Sequence, residues 1–526
     1  MRARSPAGLC SGSRPCWASP PIFPKFWTRT SFHPLSDRSD PEGFATVSLS
    51  VTQLLEGSGA RPKKGLGAVF GLNSDSRRIE PGDIFFALPG HNVHGNQFVA
   101  DAVRRGALAV ITDTAPVGDP GVPVIIVKDV RASYARAASR IFEPQPEITV
   151  AVTGTNGKTS VASFVRQIWN YAGIPGASIG TLGVETATRL IEGSLTTPDS
   201  RTLHQSMRAL KAQGIDHVAL EASSHGLDQR RLDGMHFEAV AFTNLSRDHL
   251  DYHADMDEYR NAKLRLFTDL LVDGGAAVVN VDDPEYEPFM FAALGASATL
   301  LTVGREGAYI EVLSVKPEGY GQRVEVRHVG EKLSFHLPLT GEFQVSNAIV
   351  AAALAMSSGV DKAQAFPALS ELVGAKGRLE LVGEHNGAAI FIDYSHKPVA
   401  LESALASLRP YAKGKLRVVF GAGGDRDKGK RPMMGEVAQR MADDVIVTDD
   451  NPRTEDPKTI RAEILAAAKG AKEIGDRKAA ITAAVKSLEA GDVLLVAGKG
   501  HEDYQIIGTT KHHFSDHEVV AEAIKG

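Results

Sequence analysis

A chain of 526 residues holds about three domains of ordinary size, and its 43% apolar content supplies cores for them. The net charge of −5 argues against a nucleic-acid binder, which needs a basic face, and no apolar run approaches the roughly 20 residues of a membrane span. Both cysteines, Cys10 and Cys16, lie close to the N-terminus, which removes disulfides and cysteine catalysis from the rest.

Residues 1–46 are rich in Arg, Ser and Pro, carry no acid before Asp37, and have no continuous apolar stretch after the arginines, so they predict disorder rather than a secretory signal. A transit-like presequence or a start codon placed too far upstream would both give this composition. From 47 to 146 a small α/β unit is expected, with strands near 83–88, 108–112 and 123–127 and a helix near 129–142. Its most unusual stretch is SDSRRIEPGDIFFALPGHNVHGNQF, residues 74–98. On residue types alone this is a polar turn before a strand.

The central expectation rests on ITVAVTGTNGKTS, residues 148–160. Ile148, Val150 and Val152 suit a strand, and Val161, Phe164, Val165, Ile168 and Trp169 fall at helical spacing before Gly173. Between them Gly154 and Gly157 let backbone N–H groups turn towards phosphate oxygens at the positive end of the new helix. Lys158 would reach the β and γ phosphates and the Thr159 hydroxyl would ligate Mg²⁺. The glycines are closer together than in the common phosphate-binding loop.

Further along, LTTPDS at 195–200 offers paired hydroxyls on a turn, able to hold an anion or a sugar oxygen but explained equally well by turn chemistry. Glu221 ends an apolar strand expected beside the one that feeds the loop, where a carboxylate suits Mg²⁺. A second cluster, Asp248, His249, Asp251 and His253, follows another strand, and GEFQVSNAIVAAALAM at 341–356 reads as a helix. From 377 onwards AIFIDYSH, LRVVFGAGG, DVIVTDDN and DVLLVAGKG each end a β run in a polar loop, which marks a ligand cleft.

GTNGKTS resembles the Mur ligase family, ATP-dependent amide-bond formers of peptidoglycan synthesis, together with the related folylpolyglutamate synthases. The resemblance implies a three-domain α/β architecture: an N-terminal UDP-sugar domain at 47–146, a central P-loop ATPase-like domain at 147–376 and a C-terminal doubly wound, Rossmann-like domain at 377–526. It assigns Gly154, Thr155, Asn156, Gly157, Lys158, Thr159, Ser160, Asn347, Arg378 and Asp393 to ATP, with Gln344 standing where the family usually has Asn. Thr159, Glu221, His249 and a CO₂-carboxylated Lys263 would place Mg²⁺, and Lys158, Lys263 and His249 would be catalytic.

Ser74, Ser76, His91, Asn92, Val93, Thr196, Thr197, Ser223, Gln229 and Arg231 would bind UDP-N-acetylmuramoyl-L-alanyl-D-glutamate. Arg426, Asp450, Asn451, Pro452, Arg453, Gly498 and Glu502 would bind an amino acid. Within the family, DNPR marks members that add meso-diaminopimelate, because a guanidinium can grip its distal carboxylate bidentately. Also implied are a cytoplasmic monomer with small-molecule substrates, Mg²⁺ as cofactor and ATP as co-substrate, and no nucleic-acid or membrane partner. Two rivals fare worse: a non-catalytic relative predicts erosion of Lys158, Glu221, His249, Lys263 and Arg453, and a folylpolyglutamate synthase gives no account of DNPR or SDSRRIEPGD.

Overall fold

The computed structural model describes residues 48–60, 67–90, 93–193 and 195–526, so the expected disorder of 1–46 lies outside the described residues. Three separate parallel or mainly parallel sheets order the chain. The first joins Gly71–Asn73, Asp83–Phe86, Ala109–Thr112 and Val124–Ile126 side by side. Its helix, Val130–Ile141, is capped by Asp129 and buries Val130, Tyr134, Ala138 and Ile141 on the sheet. The strand Gly71–Asn73 was not expected, since three residues are too few to show alternation.

The central sheet places Ile148–Thr153 between His217–Glu221 on one side and Phe237–Phe242 on the other, all parallel. Successive strands leave this position in opposite directions, so the loop after Thr153 opens at the switch point where a parallel sheet leaves a crevice. The helix Lys158–Tyr171 follows, and its stripe of Val161, Phe164, Val165, Ile168 and Trp169 is fully buried, partly against the helix Glu342–Ser357. One edge carries an arm not foreseen from sequence, the antiparallel strands Ile310–Glu318, Gly321–His328 and Glu331–Leu337.

In the third sheet, Ala388–Asp393, Val493–Ala497, Leu416–Phe420 and Asp444–Val447 run parallel in that spatial order, with Glu380–His385 antiparallel at one edge. Their polar loops therefore emerge at one end, as the sequence predicted. The three units touch: Gln145 Oε1 meets His204 Nδ1 at 2.9 Å, Asp129 pairs with Arg230 at 2.7 Å, and Lys397 reaches Asp248 at 2.5 Å.

Candidate active site

The glycine loop is shaped by its neighbours before any ligand arrives. Gly154 and Gly157 sit at φ of 150° and 88°, the second as the N-cap of the following helix, and both conformations disfavour a side chain. Thr155 N donates to Asn244 O at 2.8 Å and Asn156 N to Asn244 Oδ1 at 2.9 Å, so the strand end at 243–246 cradles the loop. Lys158 folds back and donates to Gly154 O at 2.8 Å and Thr155 O at 3.0 Å. Burial lowers its pKa, opposed by the charge of Glu221.

Register puts Glu221 opposite Val152, one residue before the loop-bearing strand ends. Its carboxylate is 3% exposed and accepts from Thr159 Oγ1 at 3.0 Å, Thr181 N at 2.7 Å and Thr181 Oγ1 at 3.2 Å. Burial raises its pKa, opposed by the charge of Lys158 and by the Thr181 and Thr159 hydrogen bonds. Thr181 was missed; the available signal was a hydroxyl just past the small-residue strand Gly176–Gly180. Gly180 has no room for a side chain, because a Cβ there would lie 2.0 Å from Glu221 Oε1.

Lys263, on the helix Met256–Thr268, is 1% exposed and donates to the same Gly154 O at 2.8 Å, with its ammonium 4.4 Å from the Tyr259 ring centre. Burial, reinforced by Lys158, drives its pKa well below the usual lysine value. The amine is thus shifted towards its neutral, nucleophilic form. His249 stands at φ 54° beside Asp248, its ring 4.9 Å from that of His225 and 6.0 Å from Tyr259, and burial pushes its pKa down to about 4.

Among the described residues no group of three or more His, Cys, Asp or Glu is arranged to hold a metal unaided. Thr159 and Glu221 nevertheless offer hard oxygen donors 3.0 Å apart at the phosphate loop. Such a pair fits Mg²⁺ that arrives with phosphate oxygens better than a resident ion in a closed protein cage.

Thr197, Ser223, Gln229 and Arg231 form one hydrogen-bonded group, with Thr196 at its edge. Thr197 Oγ1 donates to Glu221 O at 2.8 Å and lies 2.9 Å from Ser223 Oγ; Arg231 donates to Thr197 O and Gln229 Oε1, both at 2.7 Å. Thr196 Oγ1 is 3.1 Å from Thr181 Oγ1, joining this group to Glu221. Tyr252, missed from sequence, receives Gln229 Nε2 at 3.2 Å.

Ser74 and Ser76 belong to the first unit, where Asp75 caps the turn Ser76–Arg78. Val93 is exposed, whereas His91 and Asn92 lie outside the described residues. Buried Tyr134 feels the charges of Asp199 and Arg201, and Arg131 that of Arg231, so this unit faces the hydroxyl group of the second.

Asn347 is buried, donates to Gln344 Oε1 at 3.1 Å and abuts Gly157. The structure thus sets its amide against the phosphate loop. Asp393 accepts from Leu379 N at 2.7 Å and Ser395 N at 2.8 Å, and Arg378 covers the Tyr394 ring at 5.0 Å.

The DNPR loop is held from two sides. Asn451 donates to Glu502 Oε2 at 3.0 Å and accepts from Lys499 Nζ at 3.1 Å and Ile506 N at 2.9 Å. Lys499, which sequence reading passed over, has a fully buried side chain and also approaches Asp450 at 3.3 Å. Burial pushes the Asp450 pKa up, but the charges of Lys499 and Arg477 outweigh it and hold the carboxylate low. Gly498 places its backbone beside Asp450.

Arg453 stands at φ 52° and donates to Gly424 O at 2.8 Å. A Cβ at Gly423 would come 2.9 Å from its guanidinium, and one at Gly424 1.9 Å from Pro452 O. The glycines of GAGGDRDKG thus make room for DNPR. Arg426 is exposed on the same loop.

A phosphate loop at a sheet switch point, with a buried carboxylate and a buried amine converging on it, defines a nucleotide-using enzyme of the P-loop type. Three family models match this chain: Mur ligase family, catalytic domain, at 69–142; Mur ligase middle domain at 152–355; and Mur ligase, glutamate ligase domain, at 377–500. The chain belongs to the Mur ligase family, whose members are ATP-dependent amide ligases.

It is 55% identical over 459 residues to the UDP-N-acetylmuramoyl-L-alanyl-D-glutamate–2,6-diaminopimelate ligase of Mesorhizobium japonicum, covering 87% of this chain and 95% of that one. A solved structure of a ligase of that name matches with a TM-score of 0.69 at 33% identity, over 91% of this chain and 99% of the other. A folylpolyglutamate synthase of Mycobacterium tuberculosis, complexed with ADP and AMPPCP, shares the fold alone: TM-score 0.57, 19% identity, 70% of this chain and 92% of that one.

Proposed function

We propose that this protein joins meso-diaminopimelate to the D-glutamyl γ-carboxylate of UDP-N-acetylmuramoyl-L-alanyl-D-glutamate, with cleavage of ATP to ADP and phosphate, as a cytoplasmic monomer in peptidoglycan synthesis. The observation that carries the reading is the DNPR loop: Asn451, Glu502 and buried Lys499 fix it from one side, and a glycine run opens space for Arg453 on the other. The 55% identity to a ligase of this name supports it. No helix among the described residues is long and apolar enough to cross a membrane.

In this reading the units at 47–146, 147–376 and 377–526 bring the UDP-sugar, ATP and the amino acid to one cleft. Thr196, Thr197, Ser223, Gln229 and Arg231 orient the muramoyl dipeptide, together with Ser74, Ser76, His91, Asn92 and Val93. Gly154 to Ser160 hold the phosphates with Asn347 against the loop, and Arg378 and Asp393 place the rest of the nucleotide.

Thr159, Glu221, His249 and a carboxylated Lys263 would hold Mg²⁺, which when bound neutralises phosphate charge. Burial disfavours the charged form of Lys263, and the neutral amine is the form that takes up CO₂, releasing a proton and leaving an anionic oxygen donor. Lys158, released from Gly154 O, stabilises charge on the transferred γ-phosphoryl group as the substrate carboxylate becomes an acyl phosphate. The neutral amine of diaminopimelate then attacks the acyl carbon, the carbon–oxygen bond to phosphate breaks, and the proton lost by the amine leaves with the phosphate.

Arg453 and Arg426 meet the distal carboxylate, and Asp450, Pro452, Gly498 and Glu502 set the ammonium end. Phosphate release should require ATP, the UDP-dipeptide and meso-diaminopimelate together. Release that persists without the UDP-dipeptide would sink the reading.

A further inference from the structure

We infer that Lys397 is a positioning residue for His249, supplied across the cleft by the C-terminal unit. Lys397 precedes the helix Pro398–Leu408, well away in sequence from the loop that carries His249. Its ammonium reaches Asp248 Oδ1 at 2.5 Å, and the same oxygen accepts the backbone N–H of His249 at 2.8 Å. One carboxylate oxygen thus ties a lysine of the third unit to the amide of a residue in the second.

That amide needs a tie. His249 stands at φ 54°, a left-handed conformation that a non-glycine residue keeps only when its surroundings impose it. Within the central unit this turn is also held by its own backbone bonds, from Tyr252 N at 3.1 Å and His253 N at 2.9 Å to His249 O, and by ring contacts with His225 and Tyr259. The Asp248–Lys397 contact adds a restraint from outside the central unit. Both partners are partly accessible, with side chains 22% and 46% exposed, so solvent screens the pair only in part.

The cleft chemistry gives this tie a purpose. Lys397 contributes to the positive field at Lys158 and at His249, so docking of the C-terminal unit both adds a cation beside the phosphate loop and fixes His249. The catalytic arrangement is therefore completed only when the unit that carries the amino-acid site is in place. The kinetic part of this inference rests on the function proposed above; the structural part does not.

Two measurements on Lys397→Met and Lys397→Arg test it. Amide hydrogen exchange in the ligand-free protein should rise about fivefold over 247–253 in Lys397→Met and return towards wild type in Lys397→Arg. In turnover assays Lys397→Met should lower kcat about tenfold while KM for meso-diaminopimelate stays within about twofold, again with recovery in Lys397→Arg. Unchanged exchange in Lys397→Met overturns the inference whatever happens to kcat, because a lysine acting directly on substrate would leave the apo loop alone. Raised exchange with unchanged kcat overturns it too. A wild-type protein that fails to use diaminopimelate refutes the proposed function, and the exchange result then judges the tie by itself.

Discussion

Arg477 and Asp516 form a pair with both side chains fully buried in the C-terminal unit. Arg477 Nε and Nη2 donate to the two carboxylate oxygens at 2.8 and 2.7 Å, and Nη2 also donates to Ala497 O at 3.0 Å. Replacing Arg477 with Met leaves Asp516 without its cation in a site closed to water. Breaking such a pair costs about 3–5 kcal/mol. Asp516 opens the helix Asp516–Lys525, whose N-terminal field offsets up to about 1 kcal/mol, so a loss of about 3 kcal/mol is expected.

For a unit of this size that is a fall of roughly 6–12 °C in the midpoint of its thermal transition. Differential scanning calorimetry, with urea unfolding as a check, reads it. The double variant Arg477→Met with Asp516→Leu removes both charges and should recover most of the loss. Ala497 lies next to Gly498, so Arg477→Met should also raise KM for diaminopimelate. A single variant that loses less than about 1 kcal/mol, or a double variant no better than the single, would refute the reasoning.

Other outcomes follow from the same geometry. Gly180→Ala should cut kcat about a hundredfold with the fold intact, because the new methyl meets Glu221 Oε1 at 2.0 Å and displaces the carboxylate from Thr159 and Thr181; paired circular dichroism and phosphate-release assays check this. Lys499→Met should raise KM for diaminopimelate about tenfold or more, since Asn451 and Glu502 lose the buried ammonium that sets their positions.

His204 has a folded-state pKa lowered by burial to about 3, below the value of about 6.5 it regains on unfolding. Unfolding therefore takes up a proton below pH about 6.5, and stability present above that pH is lost as the pH falls. Between pH 7 and 5 the loss is about 2 kcal/mol, and His204→Gln should flatten the urea-midpoint profile over that window.

The site was legible where the chemistry is local. A strand, a glycine turn and a helix succeed one another within a short stretch, so the phosphate loop could be read at once, and Glu221 followed from ending the strand beside it. Thr181, Lys397, Lys499 and Arg477 escaped because their meaning lies in distant partners. Lys499 in GKGHE reads as a surface cation until the fold closes Asn451, Asp450 and Tyr504 over it. Likewise GAGG reads only as a polar loop after a β run, and the approach of Arg453 and Pro452 shows what the missing side chains are for.

In the fold, the long apolar helix of the phosphate loop was foreseen, whereas Gly71–Asn73 was too short to show a period. The antiparallel arm at 310–337 was not read as strands, although alternate residues such as Val324 and Val326 point inward. Its polar outward positions resemble solvated loop in a chain scanned for strand-then-helix units.

The account stands most directly on amino-acid selection by Arg453. The decisive measurement supplies equal meso-diaminopimelate and L-lysine, with ATP and UDP-N-acetylmuramoyl-L-alanyl-D-glutamate, to the wild type and to Arg453→Ala, and identifies the products by mass. The account predicts the diaminopimelate product alone from the wild type, and a fall of roughly a hundredfold in its rate in Arg453→Ala, as loss of a bidentate carboxylate contact requires. Lysine product in comparable amount from the wild type, or undiminished diaminopimelate product from Arg453→Ala, would contradict it.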